Sequence, residues 1–413
     1  MTLPNFSDRH KLQWGDSRRL IQAAACALIV AGCTRTTDTS MVDALLSEAR
    51  RNLAPDLRTA VFEVQGTASG KTLTLTGEIQ DAGMKERLLR FLREKGDYTI
   101  VDSIAALPAQ SVGEKTFGVI DVSVANLRTA PQHPAEMASQ AILGTPVKIL
   151  KKKGGWCLVQ TPDEYIGWTD DRLVRMTNDR YDAWTHLPKL VVTAEVTWIR
   201  SAKDRTSQPV SDVVAGSLLA LKERSGAFYG VEYPDGRTGF IAKDQAEPLE
   251  TWLAKARDTP ERIIATAKRF FGVPYLWGGT SSKGMDCSGF TKTEYYLNGV
   301  LLPRDADQQA AIGDSVVIPE GSMDLKPGDL LFFGSHAGAG KPEHITHVAI
   351  SLGGRRFIHS SADVHFNSLN PADSDYSDFR SVSFLRAQRI IGAGESSGVR
   401  RLAGIPYYSG YEH

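Results

Sequence analysis

Between residues 345 and 360 the chain alternates apolar and polar positions in two short runs, ITHVAIS and RRFIHS, with Gly353-Gly354 between them. This pattern predicts a β-hairpin. Upstream, the glycine- and hydroxyl-rich loop 278–286 gives way to CSGFTKTEYYLNG, a helix of about three turns with Asp286 as N-cap and Gly299 as its stop. Nearer the N-terminus, residues 41–108 read helix, strand, strand, helix, strand. The helices are MVDALLSEARRNL and AGMKERLLRFLREKGD, the paired strands lie around Gly66 to Gly70, and YTIVDSIAAL closes the module. Residues 116–248 alternate over short distances between turn signals such as KKGGW, TPDEYIGW, RSGAF and YPDGRTGF. A constant offset of 72 carries Arg128 to Arg200, Gly144 to Gly216, Trp156 to Phe228, Pro162 to Pro234, Gly167 to Gly239 and Trp168 to Phe240. The region is therefore a duplication, and each copy is expected to be a small β-barrel.

Composition fits a multi-domain globular protein. At 413 residues with 42 % hydrophobic positions the chain can fill several cores. Lys+Arg and Asp+Glu both total 48, which gives no argument for a nucleic-acid partner or an anionic surface. Four cysteines without a C-x-x-C pair suggest neither a zinc site nor a disulfide framework, and no cofactor motif is present. Cys157 reads as a small core residue. Arg9, Lys11, Arg18 and Arg19 precede an apolar run from Leu20 to Ala31 that ends Ile29-Val30-Ala31-Gly32-Cys33. That is the layout of a secretory signal, too short to span a membrane.

Chemistry concentrates near the C-terminus. Cys287 would lie in the first helical turn, where unpaired N–H groups and the helix dipole favour a thiolate and could stabilise an oxyanion. With a three-residue turn over 352–354, His347 lies directly opposite His359, their Cβ atoms roughly 4.5 to 5.5 Å apart. A two-residue turn would break that pairing. In this register His347 serves as general base and His359 fixes its tautomer. His344 falls on the opposite face from His347, so a metal pair is not expected.

Five runs, PYLWGG (274–279), DCSGF (286–290), LKPGDLLFF (325–333), THVAISLG (346–353) and FIHSS (357–361), resemble the NlpC-type cell-wall cysteine peptidases, a papain-like group. The resemblance implies a papain-like α+β catalytic domain at 258–392 with Cys287, His347 and His359 as its catalytic set and no metal or cofactor. It further implies that Tyr275 and Trp277 serve the oxyanion site and pocket, and that Ser288 meets the γ-D-glutamyl carboxylate. Residues 116–177 and 189–248 resemble bacterial SH3-like domains, and 41–108 resembles a BON domain; 393–413 form a tail with no assigned role. Enzymes of this layout are γ-D-glutamyl-L-diamino acid endopeptidases, whose first SH3-like domain covers the site and recognises a free L-alanine amine. Carried over, Asp286, Tyr165 and Glu136 would bind that ammonium; Arg304 and Asp305 in LLPRDADQQ belong to the family-like sequence pattern, or form an ordinary loop ion pair. The ending at Cys33 resembles a lipobox; residues 1–33 would then be a lipoprotein signal and Cys33 the lipid anchor. Thr34 in place of Asp implies the periplasm, on the outer membrane. The expected partners are peptidoglycan-derived peptides and the membrane through that lipid, with the protein a monomer. A non-catalytic wall-binding protein and a thiol acyltransferase on the same fold are the alternatives.

Overall fold

The computed structural model describes residues 39–318, 325–338 and 340–410. The signal-like segment and Cys33 lie outside the described residues. Among the described residues, no helix is long and apolar enough to cross a membrane.

Residues 39–106 follow the anticipated order of elements. Helix Thr39–Leu53 buries Val42, Leu46 and Ala49, a spacing of four and three that keeps them on one face. Helix Ala82–Lys95 starts where the Asp81 side chain accepts from the Met84 N–H, and it buries Met84, Leu88 and Leu92. Both pack on a three-stranded sheet in which Phe62–Ser69 pairs antiparallel with Thr72–Ile79, and Thr72–Ile79 pairs parallel with Thr99–Ala106.

The duplication is visible strand by strand. Strands of the first copy begin at Phe117, Val124, Met137, Pro146, Trp156, Ile166 and Leu173; those of the second begin at Lys189, Val196, Pro209, Leu218, Phe228, Thr238 and Ala246. Each copy is a seven-stranded antiparallel sheet, and the two have the same strand order. Each closes around its own core: Leu127, Ile149, Cys157 and Val159 in the first, Ile199, Leu219, Val231 and Ile241 in the second.

The C-terminal unit packs helices Pro260–Arg269 and Cys287–Tyr296 against a six-stranded sheet. Its strands run, in spatial order, Asp314–Ser315, Phe384–Arg389, Leu330–Ser335, His344–Gly353, Arg356–Ser360 and Val364–Ser368. Phe290, Tyr295, Val348, Ile350 and Ile358 form the shared core, which fixes the helix carrying Cys287 against the strand carrying His347. The tail acts as a strap. Tyr407 is buried, accepts from Trp184 Nε1 (3.1 Å) and donates to the Gly144 carbonyl (2.7 Å), tying the last residues to the first sheet.

The hairpin register departs from expectation. Ile350 pairs with Ile358 and Ser351 with Phe357, which sets His359 level with Ala349, two residues from His347. The turn is the two-residue kind, closed by Gly353 opposite Arg356. Continued unchanged, that pairing would throw the two histidines onto opposite faces; a bulge at Leu352 adds one residue and restores a common face. The histidines are diagonal neighbours, and imidazole rings bridge that distance where shorter side chains would not.

Candidate active site

Cys287 is the first residue of its helix. Asp286 caps it, accepting from the Gly289 N–H at 2.7 Å, and this leaves the N–H groups of Cys287 and Ser288 unpaired within the helix. The loop before it approaches so closely that side chains are excluded: a Cβ on Gly289 would lie 1.9 Å from the Gly279 carbonyl oxygen. Gly278, at φ +78°, would put a Cβ 2.3 Å from the Met137 carbonyl of the first sheet. Cys287 itself is 8 % exposed and packs in the core of the catalytic unit with Phe290 and Val348.

That enclosure overturns the expectation of a resting thiolate. Burial, and then the Asp286 carboxylate, push the Cys287 thiol up to about 11, against the backbone N–H groups of Val348 and Ser288 that favour the anion. His347 is held well below its usual range by burial, by the Arg380 guanidinium and by the neighbouring histidines. His359 is pulled down to about 3, first by burial and then by Arg380 and His365. The pair rests as neutral thiol and neutral imidazole.

The hydrogen bonds assign the tautomers. Asn367 Nδ2 donates to the Asp375 carbonyl (3.2 Å), which turns Asn367 Oδ1 toward His359 Nε2 at 3.0 Å. An amide oxygen only accepts, so His359 carries its proton on Nε2 and offers Nδ1 as an acceptor. His347 Nε2, 2.7 Å from His359 Nδ1, must then be the donor, which leaves His347 Nδ1 as the lone pair that can take the thiol proton. His365 continues the same direction: its Nδ1 bonds Asp363 Oδ1 (2.8 Å), leaving Nε2 to accept from His359 at 3.2 Å. Asn367 and His365 were not singled out in the sequence. Their signal was the HFN alternation in Val364–Ser368, the strand next to the one bearing His359.

A cleft of about 560 Å³ opens beside the sulfur. Its walls include Tyr275, Trp277, Asp286 and Ser288 from the C-terminal unit and Glu136 and Tyr165 from the first sheet, all of them named by the sequence. Trp277 is 63 % exposed, and its indole N–H donates to Glu136 Oε1 at 2.8 Å, linking the two walls. Tyr275 is half-buried, and burial followed by the Cys287 and Asp286 charges raises its phenol to about 12, so it is a hydrogen-bond donor at any physiological pH.

Asp286 is more committed than a cap shared with a ligand would be. Arg304, 1 % exposed, donates Nη2 to Asp286 Oδ2 (2.5 Å) and Nη1 to Asp286 Oδ1 (3.1 Å). Gly278 N–H takes the remaining side of Oδ2 at 2.9 Å. Ser288 Oγ is likewise occupied, accepting from Arg304 Nη1 at 2.9 Å. Arg304 Nε also reaches Ser139 Oγ of the first sheet at 3.1 Å, so this guanidinium braces the nucleophile's loop and the cover together. A second, part-buried pair, Lys292 with Asp163, fastens the same two units. Glu136 is exposed, and its side chain bonds the Trp277 indole.

Comparisons with known proteins follow this geometry. The NlpC/P60 family matches residues 272–386, and the bacterial dipeptidyl-peptidase SH3 domain matches residues 127–171. A γ-D-glutamyl-L-lysine dipeptidyl-peptidase of Bacillus cereus is 32 % identical over 239 residues, covering 54 % of this chain and 67 % of that protein. The chain belongs to the NlpC/P60 family. Dipeptidyl-peptidase 6 of Lysinibacillus sphaericus is 27 % identical over 262 residues, covering 61 % of this chain and 91 % of that one. A crystal structure of an NlpC/P60 family protein from Bacillus cereus superimposes with a TM-score of 0.55 at 27 % identity, over 66 % of this chain and 99 % of that one. The architecture thus combines an SH3-like domain with an NlpC/P60 catalytic domain. Both matched segments lie within residues 127–386, outside the module at 39–106.

Proposed function

We propose that this NlpC/P60 protein is a cysteine endopeptidase that hydrolyses the bond between γ-D-glutamate and a diamino acid in peptidoglycan stem peptides with a free N-terminal L-alanine. The observation that carries the reading is the cleft: the SH3-like domain supplies part of its wall, and from there the Glu136 carboxylate and the Tyr165 hydroxyl line it together with Cys287. A primary ammonium buried in such a place needs that pairing, while an amide-linked alanine would leave it unanswered. Asp286 lines the same cleft, compensated by Arg304.

In this reaction Cys287 Sγ attacks the γ-carbonyl carbon while its proton passes to His347 Nδ1. With both groups neutral at rest, proton transfer accompanies attack. The oxyanion is met by the free N–H groups at the helix start and by the Tyr275 hydroxyl. His347 returns the proton to the leaving amine, and water, deprotonated by the same nitrogen, hydrolyses the thioester. His359 and Asn367 keep the receiving nitrogen bare throughout. Relatives named dipeptidyl-peptidases support removal of a dipeptide. Demand for a free amine favours released fragments over intact wall, hence recycling or scavenging, and the signal-like N-terminus ending at Cys33 would put the enzyme in the periplasm on a lipid anchor.

The test is to incubate the protein with L-alanyl-γ-D-glutamyl-diaminopimelate and follow dipeptide release by mass spectrometry, alongside Cys287→Ala and the N-acetylated peptide. Release by the wild type alone, from the free-amine substrate alone, is expected. No release would remove the endopeptidase reading; equal cleavage of the acetylated peptide would remove the amine recognition and leave the chemistry standing.

A further inference from the structure

The module at residues 39–106 is not a bystander to the cleft. Its segment 54–61 is wedged between the SH3-like domain and the catalytic domain. Ile166 N–H donates to the Arg58 carbonyl at 2.8 Å, Gln160 Nε2 to the Thr59 carbonyl at 2.9 Å, and Gln308 Nε2 to Asp56 Oδ2 at 2.7 Å. Val61 and Leu107 share an apolar cluster with Leu150 and Leu158 of the SH3-like domain. These contacts hold Arg58 in the cleft wall beside Tyr165, Asp305 and Asp307.

Arg58 makes three ion pairs there. Its guanidinium grips Asp307 with two bonds of 2.8 and 2.7 Å, meets Asp305 Oδ2 at 2.9 Å, and is steadied by Asp56 at 2.8 Å. The same Oδ2 of Asp305 accepts the Tyr165 hydroxyl at 3.1 Å. A phenol that spends its proton on a carboxylate presents only lone pairs to its other side. Turned toward the cleft, such an oxygen suits an ammonium and disfavours a carboxylate.

We propose that Arg58 is a positioning residue: by holding Asp305 as an ionised acceptor it fixes the Tyr165 hydroxyl with its lone pairs facing the substrate's amine, so the N-terminal module completes the substrate site. This rests on the reading of the cleft given above. The groups facing Asp305 are Arg304, Arg58, Tyr165, Asp307 and Lys292. Burial raises the Asp305 carboxyl, the two arginines oppose the rise, and Asp307 adds to it. Removing Arg58 takes away one of the cations that oppose the rise and leaves Arg304 and Lys292. Asp305 then gains its proton at a higher pH, and a protonated Asp305 no longer draws in the tyrosine proton.

The experiment uses the full chain with Arg58→Met, Arg58→Lys and, as a control at an exposed pair of the same module, Lys71→Ala. For L-alanyl-γ-D-glutamyl-diaminopimelate on the acid side of the pH profile, where Asp305 without Arg58 takes up its proton, Arg58→Met is expected to raise KM about tenfold with kcat within about twofold. Its acid limb of kcat/KM should move to higher pH, with Arg58→Lys restoring both and Lys71→Ala changing neither. A second readout needs no turnover: at pH 8, modification of Cys287 by cationic 2-aminoethyl methanethiosulfonate relative to neutral methyl methanethiosulfonate, measured on the Cys287 peptide. That ratio should rise several-fold in Arg58→Met, because Asp305 and Asp307 lose their shared counter-charge. Wild-type KM, acid limb and reagent ratio in Arg58→Met would overturn the proposal, as would a fall in kcat with an unmoved limb and ratio. If the wild type releases no dipeptide, the function proposed above fails, and the reagent ratio alone decides whether Arg58 governs the charge of the cleft.

Discussion

The two seven-stranded sheets share one strand order and differ in what they face. At the positions where the first copy carries Glu136, Gln140, Asp163 and Tyr165, the second carries Gln208, Asp212, Asp235 and Arg237. The first set meets the catalytic domain: Glu136 bonds Trp277, Gln140 Oε1 accepts from the Thr280 N–H, Asp163 pairs with Lys292, and Tyr165 enters the cleft. Of the second set, Asp212 meets the catalytic domain through Lys283, while Gln208, Asp235 and Arg237 stay exposed. Arg237 pairs with Asp235, lies over the Tyr233 ring and donates to the Asp121 carbonyl of the other copy. One backbone has thus been used once as a substrate wall and once as a strut. Duplication supplies the scaffold, and a few side chains on one edge decide which role it takes.

Arg304→Met against Lys283→Met breaks this contrast most severely. Arg304 joins the first copy to the nucleophile's loop and is 1 % exposed, so its loss leaves Asp286 buried and unpaired; stability should drop by about 3 kcal/mol or more. Lys283 joins the catalytic domain to Asp212 of the second copy, with both side chains partly exposed, and its loss should cost less than about 1 kcal/mol. Urea-denaturation midpoints compare the two; similar losses would erase the distinction. A smaller effect separates Glu136→Gln from Gln208→Ala. The first should raise KM for the free-amine tripeptide about tenfold, the worth of one charge-assisted contact, while the second leaves steady-state kinetics unchanged. An equal change in both would mean that the second copy also touches substrate. The smallest effect concerns backbone. Glu164, at φ +69°, stands where the second copy has Gly236 at φ +91°. Glu164→Gly should therefore stabilise the fold by about 0.5–1 kcal/mol, seen as a higher Tm, since the exposed 3.7 Å contact with Arg400 that it gives up is worth less; an unchanged or lower Tm would contradict this.

Much of the catalytic unit was legible because its signals are local. Asp286 as cap, Cys287 at the helix start, and the strands bearing His347 and His359 all follow from neighbours a few residues apart. The hairpin register was misread because a bulge at Leu352 has no strong sequence mark. The thiol's resting state was misread for a different reason. Helix position is local, while the burial that outweighs it comes from packing against Val348 and the rest of a core gathered from distant strands. Asn367 and His365 went unnoticed because alternation marks a strand face without saying which strand lies alongside.

By itself the sequence determined the order of units, the duplication with its offset of 72, and the three residues of the Cys-His-His set, since each depends on spacing along the chain. Tertiary structure decided what surrounds them. Arg304 neutralises Asp286 across 18 positions, Trp277 reaches Glu136 across 141, and Arg58 reaches Asp305 across 247. Charge compensation depends on distance in space, and a pattern of apolar and polar positions holds no record of which distant charge will arrive.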